Sequence, residues 1–167
     1  MPTPPAEFTL RPMAAADCAA VATLIRAAFA AQGVRTDPLP SALRETAETV
    51  AAHLAAGGGA VACAGRWIVG SVLWEPQDGG LYLERLAIDP GWRRNGIARA
   101  LVAATETAAR AGGHARIHLG TRLVLLDNRR LFVSCGFVET AQHAHPGYAA
   151  PTWVEMEKRL ETSGAVA

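Results

Sequence analysis

The chain has almost no excess charge: 16 Lys and Arg stand against 15 Asp and Glu, a formal net charge of +1. Without a global field there is no reason to expect nucleic acid or an anionic membrane surface as a partner, and any anion binding has to be local. Cysteine is equally sparse. Cys18, Cys63 and Cys135 are odd in number, far apart and lack a C-x-x-C pair. That excludes a disulfide framework and a thiolate zinc site, and it fits a reducing cytoplasm. Long apolar runs are missing too. The Ala-rich stretch from Ala14 to Ala31 is broken by Asp17, Thr23 and Arg26, far short of the about 20 apolar residues that a membrane helix needs. Met1 to Pro5 has no basic start followed by an apolar stretch, so it does not read as a signal peptide.

What is present suffices for one core. Half of the 167 residues are apolar and only 19% are charged, a globular composition of single-domain size. No compositional shift or long linker divides it. The expectation is one domain over residues 1–167, with roughly 1–5 and 161–167 as flexible tails.

Hydrophobic periodicity orders the elements. Phe8 to Arg11 alternates as a short strand. Val21, Leu24, Ile25, Ala28 and Phe29 then recur on one helical face ended by Gly33. Ser41 is placed to cap a second helix through about Leu54, and Gly57-Gly58-Gly59 marks a turn. Ala60–Ala64 and Trp67–Trp74 read as a hairpin around Gly65, and Leu81–Ile88 as a third strand after Asp78-Gly79-Gly80. The period then changes to a helix from Gly96 to Ala111, closed by Gly112-Gly113. A strand over 116–120, a short helix over 125–134, and strands over 137–140 and 151–160 complete the chain. This order predicts an α/β fold of the α+β type, a mixed and largely antiparallel sheet of about seven strands flanked by about four helices.

The stretch from Leu81 to Ala98 carries the chemistry. A strand stops at Asp89-Pro90, a short basic loop follows, and a helix begins near Gly96. Helix N-termini present unpaired N–H groups and a partial positive charge, which suits phosphate. Arg93 and Arg94 add full charges, and Gly96 and Ala98 let the backbone approach a ligand. On the glycine alone, an ordinary turn with solvated arginines explains the segment equally well. The combination with a long Ala-rich helix points to a pyrophosphate site. The glycines of the dinucleotide fingerprint are missing.

Arg93-Arg94-Asn95-Gly96-Ile97-Ala98 resembles the (Gln/Arg)-x-x-Gly-x-(Gly/Ala) signature of the GNAT (GCN5-related N-acetyltransferase) family. The likeness extends to Leu10-Arg11-Pro12 with Asp17, to Leu86-Ala87-Ile88-Asp89-Pro90, and to Leu131-Phe132 before Gly136-Phe137. It implies an enzyme that takes acetyl-CoA as acetyl donor, without a metal, and transfers the acetyl group to a small-molecule or peptide amine. It also implies that Leu86, Ala87 and Ile88 hold the pantetheine arm beside a splay in the sheet. Arg93, Arg94, Asn95, Gly96, Ile97, Ala98 and Arg99 would hold the pyrophosphate, with Asn128 and Phe132 also on the cofactor. Homodimers are common in the family, and nothing in the sequence marks an interface.

The same likeness exposes a departure. Many members carry a tyrosine in Tyr-x-x-x-Gly-Phe as the acid that protonates the leaving thiolate, and this chain has Phe132 there; Leu125 stands where an asparagine is common, with Asn128 one turn later. Three donors stay open: Tyr148, water, or Ser134 or Cys135. For the base, Glu84 is the candidate, expected on the face shared by Leu86 and Ile88; an ion pair with a neighbouring arginine is the equal alternative. His143 and His145 either line an acceptor pocket or sit on a polar loop, with no third ligand spaced for a metal. Trp74, Tyr82 and Tyr148 are wall or core aromatics. A non-catalytic acyl-CoA-binding module is the alternative to an enzyme.

Overall fold

A computed structural model describes residues 7–161; most of the expected tails at 1–5 and 161–167 therefore lies outside the described residues. Seven strands form one sheet in the order β1 (Thr9–Pro12), β2 (Gly58–Ala64), β3 (Trp67–Gln77), β4 (Gly80–Ile88), β5 (Arg116–Arg122), β7 (Trp153–Arg159), β6 (Val138–His143). Every neighbouring pair is antiparallel except β4 with β5. Helices α1 (Cys18–Ala30) and α2 (Ala47–Ala56) cover one face of the sheet, and α3 (Ile97–Ala111) and α4 (Leu126–Ser134) the other. The expected mixed sheet with four helices is the fold observed.

Each face has its own core. Val21, Ile25 and Val50 of α1 and α2 meet Val61 and Leu73 of the sheet. Ile97 and Leu101 of α3 meet Val72, Leu83, Leu119 and Met156 on the other side, where Phe137 joins them. β-strand alternation supplies both sets from the same strands. Close approach of α3 depends on Gly70: a Cβ there would lie 2.6 Å from Ile97 Cγ2 and 3.2 Å from Leu101 Cδ1.

Several boundaries differ from the periodic reading. The second helix does not start at Ser41. Ser41–Arg44 forms a single 3-10 turn, Glu45 is extended, and Thr46 caps α2 by accepting from the Thr49 N–H (3.2 Å). Thr49 Oγ1 in turn accepts from the Thr46 N–H at 2.8 Å, so both ends of a capping box are threonines. The break frees Glu45 to reach the sheet. Gly58 and Gly59 are strand residues rather than a turn; a Cβ on Gly58 would meet Trp74 Nε1 at 2.7 Å, and one on Gly59 the Val72 carbonyl oxygen at 2.7 Å. Phe137 leaves the sheet for the core, so β6 begins one residue later than expected and runs on through His143.

Gly70→Ala is expected to lower unfolding stability by about 1–3 kcal/mol through overpacking beneath α3. Urea denaturation would measure it, and an unchanged midpoint would show that α3 shifts freely on the sheet.

Candidate functional site

The sheet opens where β4 and β5 part. These strands are paired at Leu81–Ile117 and Tyr82–His118 and nowhere beyond, so the β5-facing backbone of β4 after Tyr82 has no strand partner. On its other edge β4 carries a bulge: Ser71 pairs with Ala87 but Leu73 with Glu84. Arg85 absorbs the extra residue with φ of 53°. A left-handed conformation costs a non-glycine residue about 1–2 kcal/mol. Arg85 offsets it by donating from Nε to Glu45 Oε1 (2.9 Å) and from Nη2 to Ser41 Oγ (2.8 Å).

The bulge corrects the expected placement of Glu84. Leu86 and Ile88 face the α3 side, where they border its core. Glu84 faces α2, with His53 Nδ1 2.9 Å from its Oε1. The contact is close but poorly aligned for a hydrogen bond. Strict alternation fails because Arg85 inserts one residue between the two sets.

On the α3 side of the opening lies a cavity of about 630 Å³, bordered by Leu86–Ile88, Arg93, Arg94, Gly96–Arg99 and Asn128. Asp89 Oδ1 accepts from the Gly91 N–H (2.8 Å), and the Asn95 amide donates to the Trp92 carbonyl (3.0 Å), which fixes the loop. Arg94 and Gly96 both have positive φ, 66° and 79°. No side chain caps α3, and its first helical bond runs from the Ala100 N–H to the Gly96 carbonyl. The N–H groups of Ile97, Ala98 and Arg99 thus lack intrahelical acceptors at a cavity wall, an arrangement suited to an anion. A Cβ on Gly96 would meet nothing within 4 Å. Asn95 braces the loop and does not border the cavity.

On the α2 side lies a second cavity of about 320 Å³, whose walls include Tyr82, Glu84, Gly120, Arg122, His145 and Trp153. Phe29, Gln32, Leu86, Leu125, Asn128 and Leu131 border both cavities, so they meet through the opening. Burial pushes the Glu84 carboxyl above the ordinary range, and Glu75 adds to this against the pull of His53. His53 Nε2 also lies 3.4 Å from Glu45 Oε1. Glu45 is 4% exposed. Burial pushes its carboxyl up, but bonds from Thr49 and Arg85 outweigh that and hold it below the ordinary range.

The remaining expected residues divide sharply. Phe132 is buried, borders the smaller cavity and stacks edge-on against Phe137 with centroids 5.7 Å apart. Tyr148 is not brought to either cavity; its hydroxyl donates to Asp37 Oδ1 at 2.6 Å. Ser134 accepts from Arg99 Nη2 at 2.8 Å. His143 is on β6, stacked on Trp153, while His145 reaches the smaller cavity. Among the described residues the one His/carboxylate group compact enough for a metal is His53, Glu75 and Glu84, within 4.8 Å of one another. Sequence reasoning missed His53, Glu45 and Arg122. The T-x-x-T box that ends the 3-10 turn was the signal for the first two.

A family model described as "Acetyltransferase (GNAT) family" matches residues 20–137. No protein of curated description matches the chain in sequence. Among solved structures, PaiA N-acetyltransferase of Thermoplasma acidophilum, in complex with coenzyme A, aligns with a TM-score of 0.76 at 16% identity, covering 92% of this chain and 99% of that one. Ribosomal-protein-S18-alanine N-acetyltransferase of Escherichia coli aligns at 0.74 and 17%, covering 96% and 99%. YncA of Salmonella typhimurium, solved with its cofactor acetyl-CoA, aligns at 0.73 and 19%, covering 96% and 98%. At these identities the likeness is one of fold.

Independently of any relative, Glu45→Gln is expected to destabilise the protein at pH 7 by about 1–3 kcal/mol, since Arg85 and His53 lose a buried charged partner. A lowered carboxyl contributes stability that is complete above its unfolded value of about 4.3 and is lost as pH falls through the folded value. The gap between wild type and variant should therefore close below about pH 4. Urea denaturation at pH 7 and in acid checks this; a gap that ignores pH would show that these partners do not hold Glu45 ionised.

Proposed function

The chain belongs to the acetyltransferase (GNAT) family, and from that premise we propose that it transfers the acetyl group of acetyl-CoA to a primary amine by direct attack in a ternary complex. The observation that carries this reading is the continuous cleft through the parted strands, with an uncapped helix end on one face and a half-buried carboxylate on the other. The amides from Arg94 to Arg99 receive the pyrophosphate, assisted by Arg93 and Arg94. The unpaired edge of β4 at Leu86–Ile88 bonds the pantetheine amides as a further strand would. The thioester then lies in the opening near Phe132, within reach of an acceptor from the α2 side.

An amine attacks only when neutral, and its ordinary pKa is near 10. Glu84 takes the ammonium proton, and its raised affinity for protons suits it to that role. His53, partly exposed, gives the proton a way to solvent. The nitrogen attacks the thioester carbon and gives up its second proton to water, the C–S bond breaks, and the thiolate leaves. A thiol near pKa 8–9 needs only a weak acid. With Tyr148 bonded to Asp37 and Phe132 unable to donate, water supplies that proton. The whole chain acts as one unit, and its three free thiols suit a reducing cytoplasm.

Calorimetric titration should give saturable, micromolar binding of acetyl-CoA and of free CoA. Gly96→Glu, which puts a carboxylate beside the helix amides, should abolish it. Arg93→Ala and Arg94→Ala should each weaken it by about 1–3 kcal/mol. No binding by folded protein would end the acetyltransferase reading. Glu84→Gln should lower kcat by about 10²–10⁴ with CoA affinity unchanged; an undiminished rate would remove Glu84 from the mechanism. Binding without thiol release across a broad amine panel would favour a non-catalytic acyl-CoA-binding module, the reading to which Phe132 in place of tyrosine gives support.

A further inference from the structure

The acceptor cavity is charged at two ends. At one, Glu84 stands with Glu75 close behind it. At the other, β5 ends in Arg122, on the same side of the sheet as Glu84, where its Nη1 donates to the Pro38 carbonyl at 2.7 Å. That is the only hydrogen bond the Arg122 side chain makes with a described residue, and no carboxylate of a described residue lies within 4.0 Å of it. Asp37 is near enough for its field to reach Arg122, but its carboxylate is engaged by Tyr148. The other cavity guanidinium, Arg85, is consumed by Glu45 and Ser41. Arg122 is half-buried with one arm pinned, so the remaining donors of its fork are held at the wall at little further entropic cost. His145 borders the same end, its Nδ1 occupied by the Thr152 hydroxyl. Burial and the Arg122 charge both push the His145 ring below its ordinary pKa, which keeps it a neutral neighbour.

Resting on the acetyltransfer reading, we infer that the acceptor is a zwitterion of the amino-acid class, whose amine meets Glu84 and whose carboxylate is held by Arg122. The fork matches a carboxylate in two parallel bonds, which fixes the amine's direction as well as its affinity. Trp153 and Tyr82, which both lie over Gly120, give the carbon skeleton an aromatic wall. In the reaction the acceptor's ammonium gives one proton to Glu84, the nitrogen bonds the acetyl carbon, the C–S bond breaks, the second nitrogen proton passes through water to the departing sulfur, and the products are an N-acetyl amino acid and the CoA thiol.

The test compares each amino acid with its primary carboxamide and with the amine lacking the carboxyl group. Thiol release gives turnover. Titration into the CoA complex, followed at the Trp153 indole N–H by NMR, gives binding without turnover. Carboxylates should exceed amides by about 10- to 100-fold in kcat/KM and in affinity, the span of one charge-assisted pair. Arg122→Gln should bring that ratio near one, and Arg122→Lys, which keeps the charge and loses the fork, should retain part of it. Equal handling of acids and amides by wild type overturns the inference, as does an unchanged ratio in folded Arg122→Gln, which would make Arg122 a latch for the Pro38 loop. Carboxylate-selective binding with no thiol release would instead sink the transferase reading and leave the zwitterion site standing.

Discussion

Beyond Tyr82 and His118 the strands β4 and β5 are no longer paired, and that separation governs the rest of the site. A sheet interior normally satisfies every backbone donor and acceptor from both sides. Here the neighbour of β4 is withdrawn, and the strand is left with one finished edge and one open edge in the middle of the molecule. The opening lets the two faces of an otherwise continuous sheet communicate. The bulge at Arg85 then decides what each face offers. Because one residue is inserted, Glu84 and Arg85 point to the α2 side while Leu86 and Ile88 return to the α3 side. Without it, Leu86 and Ile88 would alternate onto the α2 side with Glu84, and the α3 side of the opening would lose both side chains.

The two faces consequently carry different chemistry. The α3 side presents amides and arginines around the start of a long helix, a surface for anions. The α2 side presents a buried cluster in which Arg85, Glu45, His53 and Glu84 follow one another in contact. That cluster is structural at its deep end, where Glu45 is almost wholly enclosed, and accessible at Glu84. The break between the 3-10 turn and α2 is what allows it, since a continuous helix over 41–54 would carry Glu45 away from the sheet.

Much of this was legible in the chain. The element order, the mixed sheet and the helix start at Gly96 follow from periodicity and glycine placement, because these depend on local sterics and on burial of one face. The family signature added the parting of β4 and β5, which no local pattern encodes. What could not be read was anything fixed by contacts distant in sequence. That Leu86 and Ile88 do not share the face of Glu84 depends on a bulge held by Arg85 and Glu45, 40 residues apart. The tie of Tyr148 to Asp37 spans 111 residues. The role of Arg122 depends on the Pro38 loop, 84 residues away. Each is a long-range pairing between polar groups, and neither hydrophobic period carries information about those.

The replacement of a tyrosine by Phe132 looks like the loss of a catalytic group, but the relative demands of the two proton transfers argue otherwise. The leaving thiolate belongs to a thiol of pKa about 8–9 and departs readily without full protonation, whereas the attacking amine, near pKa 10, is almost wholly protonated at neutral pH. The harder proton is therefore on the acceptor. In the proposed reaction the half-buried, proton-avid carboxylate of Glu84 serves that need, backed by His53 and Glu75, and the thioester side has an aromatic contact between Phe132 and Phe137. In that reaction an apolar wall at this point offers water no hydrogen-bonding group beside the acyl carbon, which limits hydrolysis. A tyrosine hydroxyl in the same place would need a polar partner or water of its own. In the proposed reaction Phe132 therefore trades an acid that the leaving group hardly needs for protection of the acyl group before transfer.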